Sequence, residues 1–285
     1  KWAGRRRRSE VWRSAVLIGL GLLTASRLID PDPRVFQRNQ ANDDGLQPGW
    51  ALLEDNPAPG ATIIGDGDQF VSLQYLTEVW GVRPDVRAAR LSETAAILGS
   101  RTQPLYVTGQ VAFLVLSEAR LPLHLAGHGG ELISLRFEPI SELPASARTL
   151  ERACGDSLVL AGYRWQERSV RPDPLAPESD GVRQLHLSLF WRADTKIAAD
   201  WSVSVRPTLD GRPIPQDSGT LQMDVLHPVL GFYPMTRWSE KEIVRDDYAI
   251  SLPAGQAADG AQIVVYRPAA EGFENLASVH ISSGD

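Results

Sequence analysis

The sequence predicts an α/β module followed by an all-β module, with one apolar segment ahead of both. Three observations carry this. Short apolar runs and stretches of three- and four-residue periodicity alternate over residues 43–150. Period-two alternation replaces them over residues 151–285. Residues 14–26 are uncharged and follow a cluster of arginines. A length of 285 residues accommodates two ordinary domains, and 43% hydrophobic with 22% charged residues are proportions of folded globular protein.

Residues 1–29 read as a cytoplasmic basic flank and a membrane helix. Arg5, Arg6, Arg7 and Arg8 precede Val11-Trp12-Arg13 and the stretch SAVLIGLGLLTAS, which Arg27 closes. That uncharged core is shorter than the roughly 20 residues of a spanning helix. Arg13 and Arg27 can snorkel towards the two interfaces, however, so that residues 11–29 span a thinned bilayer. Three readings stay open: a single transmembrane helix, a cleaved secretory signal cut near Thr24-Ala25-Ser26, and an amphipathic surface helix. The chain begins with Lys1 rather than Met, which points to a start inside a longer polypeptide. In the first two readings the arginines stay in the cytoplasm and everything after Asp30 lies outside. The expected location is therefore the cell membrane, single-pass, with the bulk of the chain extracytoplasmic.

Residues 30–42, with Pro31, Pro33 and Asn39, read as a stalk. The α/β module, residues 43–150, opens with the apolar run Ala61-Thr62-Ile63-Ile64. The turn Gly65-Asp66-Gly67-Asp68 follows, then a helix over residues 69–80 that repeats Phe70, Leu73, Leu76 and Val79 at helical spacing. Residues 86–91 are a second strand, and Ser92 is an N-cap for a helix over 93–98. PLYVT, residues 104–108, is a third strand before a helix over 111–119, and LISLRF, residues 132–137, adds another. This order implies a small, mostly parallel sheet covered by helices.

In residues 151–285, Leu185, Leu187, Leu189 and Trp191 share one face of a strand, while His186, Ser188, Phe190 and Arg192 share the other. Residues 157–165 read as an earlier strand, and the Pro- and acid-rich stretch 171–181 as a loop between them. Trp201, Val203 and Val205 alternate, as do Tyr248, Ile250 and Leu252, and residues 262–266 add another strand. Asp210-Gly211 is a hairpin turn. These features predict an antiparallel β-sandwich with its boundary near Leu150.

Charge excludes one class of partner. Of 29 basic and 35 acidic groups, seven basic and one acidic lie within residues 1–27, leaving 22 against 34 and a body at −12. Such a body repels phosphate backbones, so no nucleic acid is expected as a partner. The lone Cys154 closes no intrachain disulfide and lacks a nucleophile signature. No cofactor motif is present: Gly65-Asp66-Gly67 is not a dinucleotide fingerprint, and there is no Gly-x-Ser-x-Gly elbow.

Candidate ligand contacts are Asp66, Asp68, Arg83, Asp85 and Trp238. Asp66 and Asp68 sit after a strand and before a helix, where carboxylates can hold a cation or sugar hydroxyls. Capping by Asp68 of a helix starting at Gln69 is the simpler account of the position. Arg83-Pro84-Asp85 is either a partner contact or a turn. Trp191, Trp201, Tyr233 and Trp238 form either a sugar-stacking platform or core. His124, His128 and Glu131 have ligand-like spacing, but Pro122, Gly127, Gly129 and Gly130 argue for a loop that does not converge them. The residues thus name no catalytic or metal centre.

Three segments together resemble a family of bacterial multi-spanning membrane proteins of the GT-C glycosyltransferase superfamily, related to protein O-mannosyltransferases. They are residues 61–86, with GDGDQFVSLQYLTEVWGVRPDV; 103–108, QPLYVT; and 232–252, FYPMTRWSEKEIVRDDYAISL. The resemblance implies a soluble region that follows the last membrane helix and closes in a sandwich. That family carries many membrane helices and an acidic catalytic residue on its first outward loop, which this chain lacks. The implied role is therefore a non-catalytic, membrane-anchored accessory or binding region of a cell-envelope glycosyltransferase system, attached through residues 11–29 and contacting a glycan or a membrane-protein partner. Alternatives are a structural subunit whose helix packs through Gly19 and Gly21, or a free-standing envelope enzyme. An exposed aromatic row on the sandwich favours the first, a flat apolar patch the second, and a deep polar pocket with converging acids the third.

Overall fold

A computed structural model describes residues 44–119, 122–169, 183–253 and 255–284. The expected anchor at 11–29, with Gly19 and Gly21, the stalk at 30–42 and the loop at 171–181 lie outside the described residues. Among the described residues no helix is long and apolar enough to cross a membrane.

The first module is a five-stranded sheet with helices on both faces. Its strands are β1 (Thr62–Gly65), β2 (Arg87–Arg90), β3 (Leu105–Thr108), β4 (His124–His128) and β5 (Leu132–Arg136), in the order β2-β1-β3-β5-β4. β1 runs parallel to β2 and β3, but β5 is antiparallel to both β3 and β4. The sheet is therefore half parallel rather than mostly parallel. The physical reason is the short turn Gly129-Gly130-Glu131, which returns the chain directly and leaves no room for a crossover helix between β4 and β5. The same fact corrects the loop expected at His124 and His128: both lie on a strand, at its two ends.

Four helices cover this sheet: α1 (Gln47–Glu54), α2 (Gly67–Gln74), α3 (Thr94–Ser100) and α4 (Gly109–Glu118). α2 continues as a wider π turn over Tyr75–Val79. Leu52 of α1 with Phe70 and Leu73 of α2 buries one sheet face, Ile63, Ala88, Tyr106 and Leu132. Ile97 and Leu98 of α3, with Val111 and Val115 of α4, bury the other, Ile64, Ala89, Val107 and Ile133. Ser92 is not the cap expected before α3. A 3₁₀ turn, Leu91–Glu93, intervenes, and the Glu93 carboxylate accepts from the Arg90 backbone N–H instead.

The second module is two open antiparallel sheets. One holds β6 (Arg148–Cys154), β7 (Leu158–Ser169), β8 (Arg183–Ala193) and β12 (Ile243–Leu252) in the order β12-β8-β7-β6. The other holds β9 (Ser202–Leu209), β10 (Arg212–Pro213), β11 (Met223–Val225), β13 (Gly260–Pro268) and β14 (Phe273–Ser282). Its order is β10-β9-β13-β14, with β11 also on β9. Asp210 and Gly211, both at positive φ, close the two-residue turn from β9 to β10, which is what the right-handed twist of a hairpin requires. The alternating residues Leu185, Leu187, Leu189 and Trp191 of β8 meet Val203, Val205, Ile263 and Val265 of the other sheet in one buried cluster. That cluster is continuous with the α3–α4 side of the first module. The change of pattern near Leu150 therefore marks a change of architecture across shared packing.

Candidate functional site: a polar cleft between the modules

β4 is the free edge of the first module's sheet, and it lies along β12, the edge strand of the four-stranded sheet. Register sets what the outer face of that second sheet presents. Asp247 of β12, Ser188 of β8 and Arg164 of β7 stand in one cross-strand row. Ala249, His186 and Gln166 form the next row, and Arg245, Phe190 and Gly162 the row on the other side. Period-two alternation turns these side chains away from the two-sheet core, and Asp247, Ser188, Arg164, His186, Gln166 and Arg245 make most of that face polar. The hairpin between β4 and β5 roofs it, leaving a cleft of about 220 Å³ lined by both modules.

The roof is held by two carboxylates. Asp55, just past the end of α1, accepts from the backbone N–H groups of Gly130 (2.8 Å), Glu131 (2.8 Å) and Leu132 (2.9 Å). Asp247 accepts from Gly129 N–H (2.9 Å) with one oxygen and from Arg245 Nε (2.9 Å) with the other. Only glycine fits between them. Gly129 has φ +93°, and a Cβ there would come within 2.0 Å of the Asp55 Oδ1; at Gly127 a Cβ would meet Asp247 Oδ2 at 2.8 Å. Burial pushes the Asp55 carboxyl up to about 6, against the pull of its three N–H donors, and the nearby Asp247 charge adds to the rise.

His128 closes one wall. Its Nε2 lies 3.1 Å from the Asn56 carbonyl oxygen, which can only accept, so Nε2 carries the proton. Burial pushes its pKa down, so the ring is neutral and Nδ1 is left with a lone pair. Its ring tilts against Tyr106 at 4.7 Å. Across the cleft, Arg164 Nη2 donates to Ser188 Oγ at 3.3 Å, and His186 Nε2 pairs with Gln184 Oε1 at 2.8 Å.

The other end of β4 is fixed differently. Glu242, 2% exposed, accepts from Tyr233 Oη (3.0 Å) and Ser239 N–H (2.8 Å) and pairs with the His124 ring at 3.0 Å. Burial, then the Glu242 charge, pushes the Tyr233 hydroxyl well above its usual range. This cluster joins the start of β4 to the start of β12, so both ends of the seam between the modules are tied by buried carboxylates.

The residues singled out from sequence are not brought together. Asp66 and Asp68 are both exposed. Helix α2 starts at Gly67, so Asp66 rather than Asp68 occupies the N-cap position, and it makes no side-chain capping bond. Arg83 and Asp85 pair at 2.9 Å and pin the preceding loop, Arg83 through the Pro57 carbonyl and Asp85 through the Gly60 N–H. The Arg83 guanidinium holds the Asp85 carboxyl down at about 2. Trp238 is 1% exposed, with its Nε1–H donating to the Tyr233 carbonyl and its ring against Tyr233. Trp191 and Trp201 are buried as well, Trp201 under Arg267. These aromatics fill core and offer no platform. Among the described residues no group of three or more metal-ligating side chains converges, and His124 and His128 point their bonds to opposite ends of β4.

Reasoning from sequence missed Asp55, Arg164, Ser188, Arg245 and Asp247. The available signal was the polar face of the alternating strands, whose cover comes from more than 100 residues away in sequence. No family model, curated protein or solved structure matches this chain.

Proposed function

We propose that this chain is an extracytoplasmic binding region of a cell-envelope glycosyltransferase system, held at the membrane through residues 11–29 and non-catalytic by itself. In this reading the α/β module and a β-sandwich jointly hold a glycan. The observation that carries it is the polar cleft whose walls belong to both modules. Its two acids are committed to backbone N–H groups, Asp55 to three and Asp247 to one. That fits carboxylates that hold a turn better than carboxylates that move protons, and it favours binding over a free-standing envelope enzyme. With Trp191, Trp201 and Trp238 buried, hydrogen bonding in the cleft takes the place of the aromatic row expected for glycan recognition. The segment that supports the family resemblance, residues 232–252, also supplies Arg245 and Asp247 to the cleft.

A structural subunit of a membrane assembly is the second reading. Phe113, 70% exposed, and Leu114 project from α4, and an apolar groove of about 640 Å³ is lined by Leu98, Ala119, Leu123 and Phe137.

Titrating the purified full chain with cell-envelope oligosaccharides, beside an assay of sugar transfer from a lipid-linked donor, tests the proposal. Saturable glycan binding without turnover supports it. Turnover by the chain alone overturns it in favour of an enzyme. No glycan binding, with a membrane partner released by Phe113→Asp, overturns it in favour of the structural subunit.

A further inference from the structure

We infer that the cleft binds the anionic group of a single acidic sugar residue, with Arg245 as its anchor. This rests on the reading of the chain as a glycan-binding region and names the ligand class. The Arg245 side chain is 20% exposed and lines the cleft. Its Nε is given to Asp247 Oδ1, but neither Nη has a hydrogen-bond partner among the described residues. A half-buried guanidinium that gives Nε to a carboxylate and opens its Nη groups to a cleft can donate both to an anion entering it. Asp247 takes only Nε with Oδ1, while its Oδ2 accepts from the Gly129 N–H. The fork that remains matches the paired oxygens of a carboxylate or a phosphate.

The other side chains around this point suit a polyol. Ser188 Oγ lies in the same cross-strand row as Asp247, and the exposed Gln166 amide lies one row further along β7. On the roof, His128 Nδ1 offers an acceptor, since Nε2 is occupied by the Asn56 carbonyl. Arg245, with Arg164 as a second cation on Ser188 and with Asp55 and Asp247 held by backbone N–H groups, stands beside the neutral donors and acceptors Ser188, Gln166 and His128, which is the pattern a sugar acid presents in reverse. Size narrows the class further. The cleft holds about 220 Å³, below the roughly 300–1,000 Å³ of sites for drug-sized ligands, so it seats one ring of a glycan, the rest of which stays outside.

Calorimetric titration of the full chain with glucuronate, glucose 6-phosphate, glucose, acetate and inorganic phosphate tests this. At least one of the two acidic sugars should bind about tenfold or more tighter than glucose and than either simple anion. Preference for glucuronate assigns a carboxylate, and preference for glucose 6-phosphate a phosphate. Arg245→Gln should remove that advantage over glucose, while Gln166→Ala should weaken the acidic sugar by only about threefold. If Arg245→Gln does not fold, as judged by thermal unfolding, Arg245→Lys keeps the charge, loses the fork and should still cost about tenfold. The inference fails if glucose binds as well as the acids, if simple anions bind as well as sugars, or if folded Arg245 variants bind acids undiminished. Neutral sugar binding alone would leave the glycan-binding reading standing and reject this one. Binding of no sugar at all would reject both.

Discussion

The two faces of the four-stranded sheet are built from the same strands and do opposite things. Asp246 and Asp247 are neighbours on β12 and show the difference most directly. Asp246 points inward among Leu187, Leu189 and Trp191, fully buried, and its carboxyl is satisfied by Val229 N–H (2.8 Å) and Tyr248 Oη (2.6 Å). Burial pushes it up to about 7. Asp247 points outward, joins Arg245 and the Gly129 N–H, and borders a cleft. The inner face is sealed by apolar side chains. The outer face is covered by backbone and polar groups of another module, and such a cover leaves room for a ligand.

Several substitutions break or sharpen this contrast. The largest effect belongs to the inner face: Trp191→Ala removes a wholly buried indole and should cost about 3–5 kcal/mol in denaturant unfolding. On the outer face Gly129→Ala introduces a Cβ into the Asp55 carboxylate at positive φ, and should cost about 3 kcal/mol through backbone strain and lost turn contacts. A milder change than Ser188→Ala there would point to a roof that shifts freely.

Proton linkage separates the faces without changing packing. Asp246 near 7 and Asp55 near 6 are both raised above the unfolded carboxyl value of 3.8. The folded protein therefore holds protons between about pH 4 and 7 that the unfolded chain has released, and stability falls as pH rises through that window. His128, pushed down by burial, works the other way below its unfolded value of 6.5. Comparing wild type with Asp246→Asn isolates the inner acid. Wild type should gain at least about 1 kcal/mol on going from pH 8 to pH 5 relative to that variant. Parallel pH profiles would show that Asp246 is ionised at no cost. The smallest effect is expected where neither face is involved: Asp68→Ala, exposed and without a capping bond, should change stability by about 0.5 kcal/mol or less.

Much of the fold was legible because local rules decide it. The strand at Ile63 and Ile64, the helix carrying Phe70 and Leu73, and the Asp210-Gly211 hairpin all follow from spacing and turn chemistry, and each is present. The alternation of Leu185, Leu187 and Leu189 also identified the inner face. The failures share a cause. His124 and His128 looked like loop residues because glycines surround them, yet Gly127 and Gly129 are there for close approach to Asp247 and Asp55 within a strand and its turn. Trp238 allows either a sugar-stacking or a core reading, and it packs on Tyr233 in the core. Alternation places Ser188 on the face opposite Leu187 and does not single out Arg245 or Asp247, because periodicity says which residues share a face and is silent on what covers it.

Amide hydrogen exchange at the Gly129-Gly130 turn tests the roofed cleft most directly. As a glycine-rich turn these two N–H groups would exchange as fast as that of Gly211 in the β9–β10 hairpin. Held by Asp247 and Asp55, they should exchange slower by about two orders of magnitude or more. Asp247→Ala should release Gly129 while Gly130 stays protected by Asp55. Exchange at Gly129 and Gly130 as fast as at Gly211 in the wild type would contradict the account, because the outer face would then have no fixed cover and no cleft.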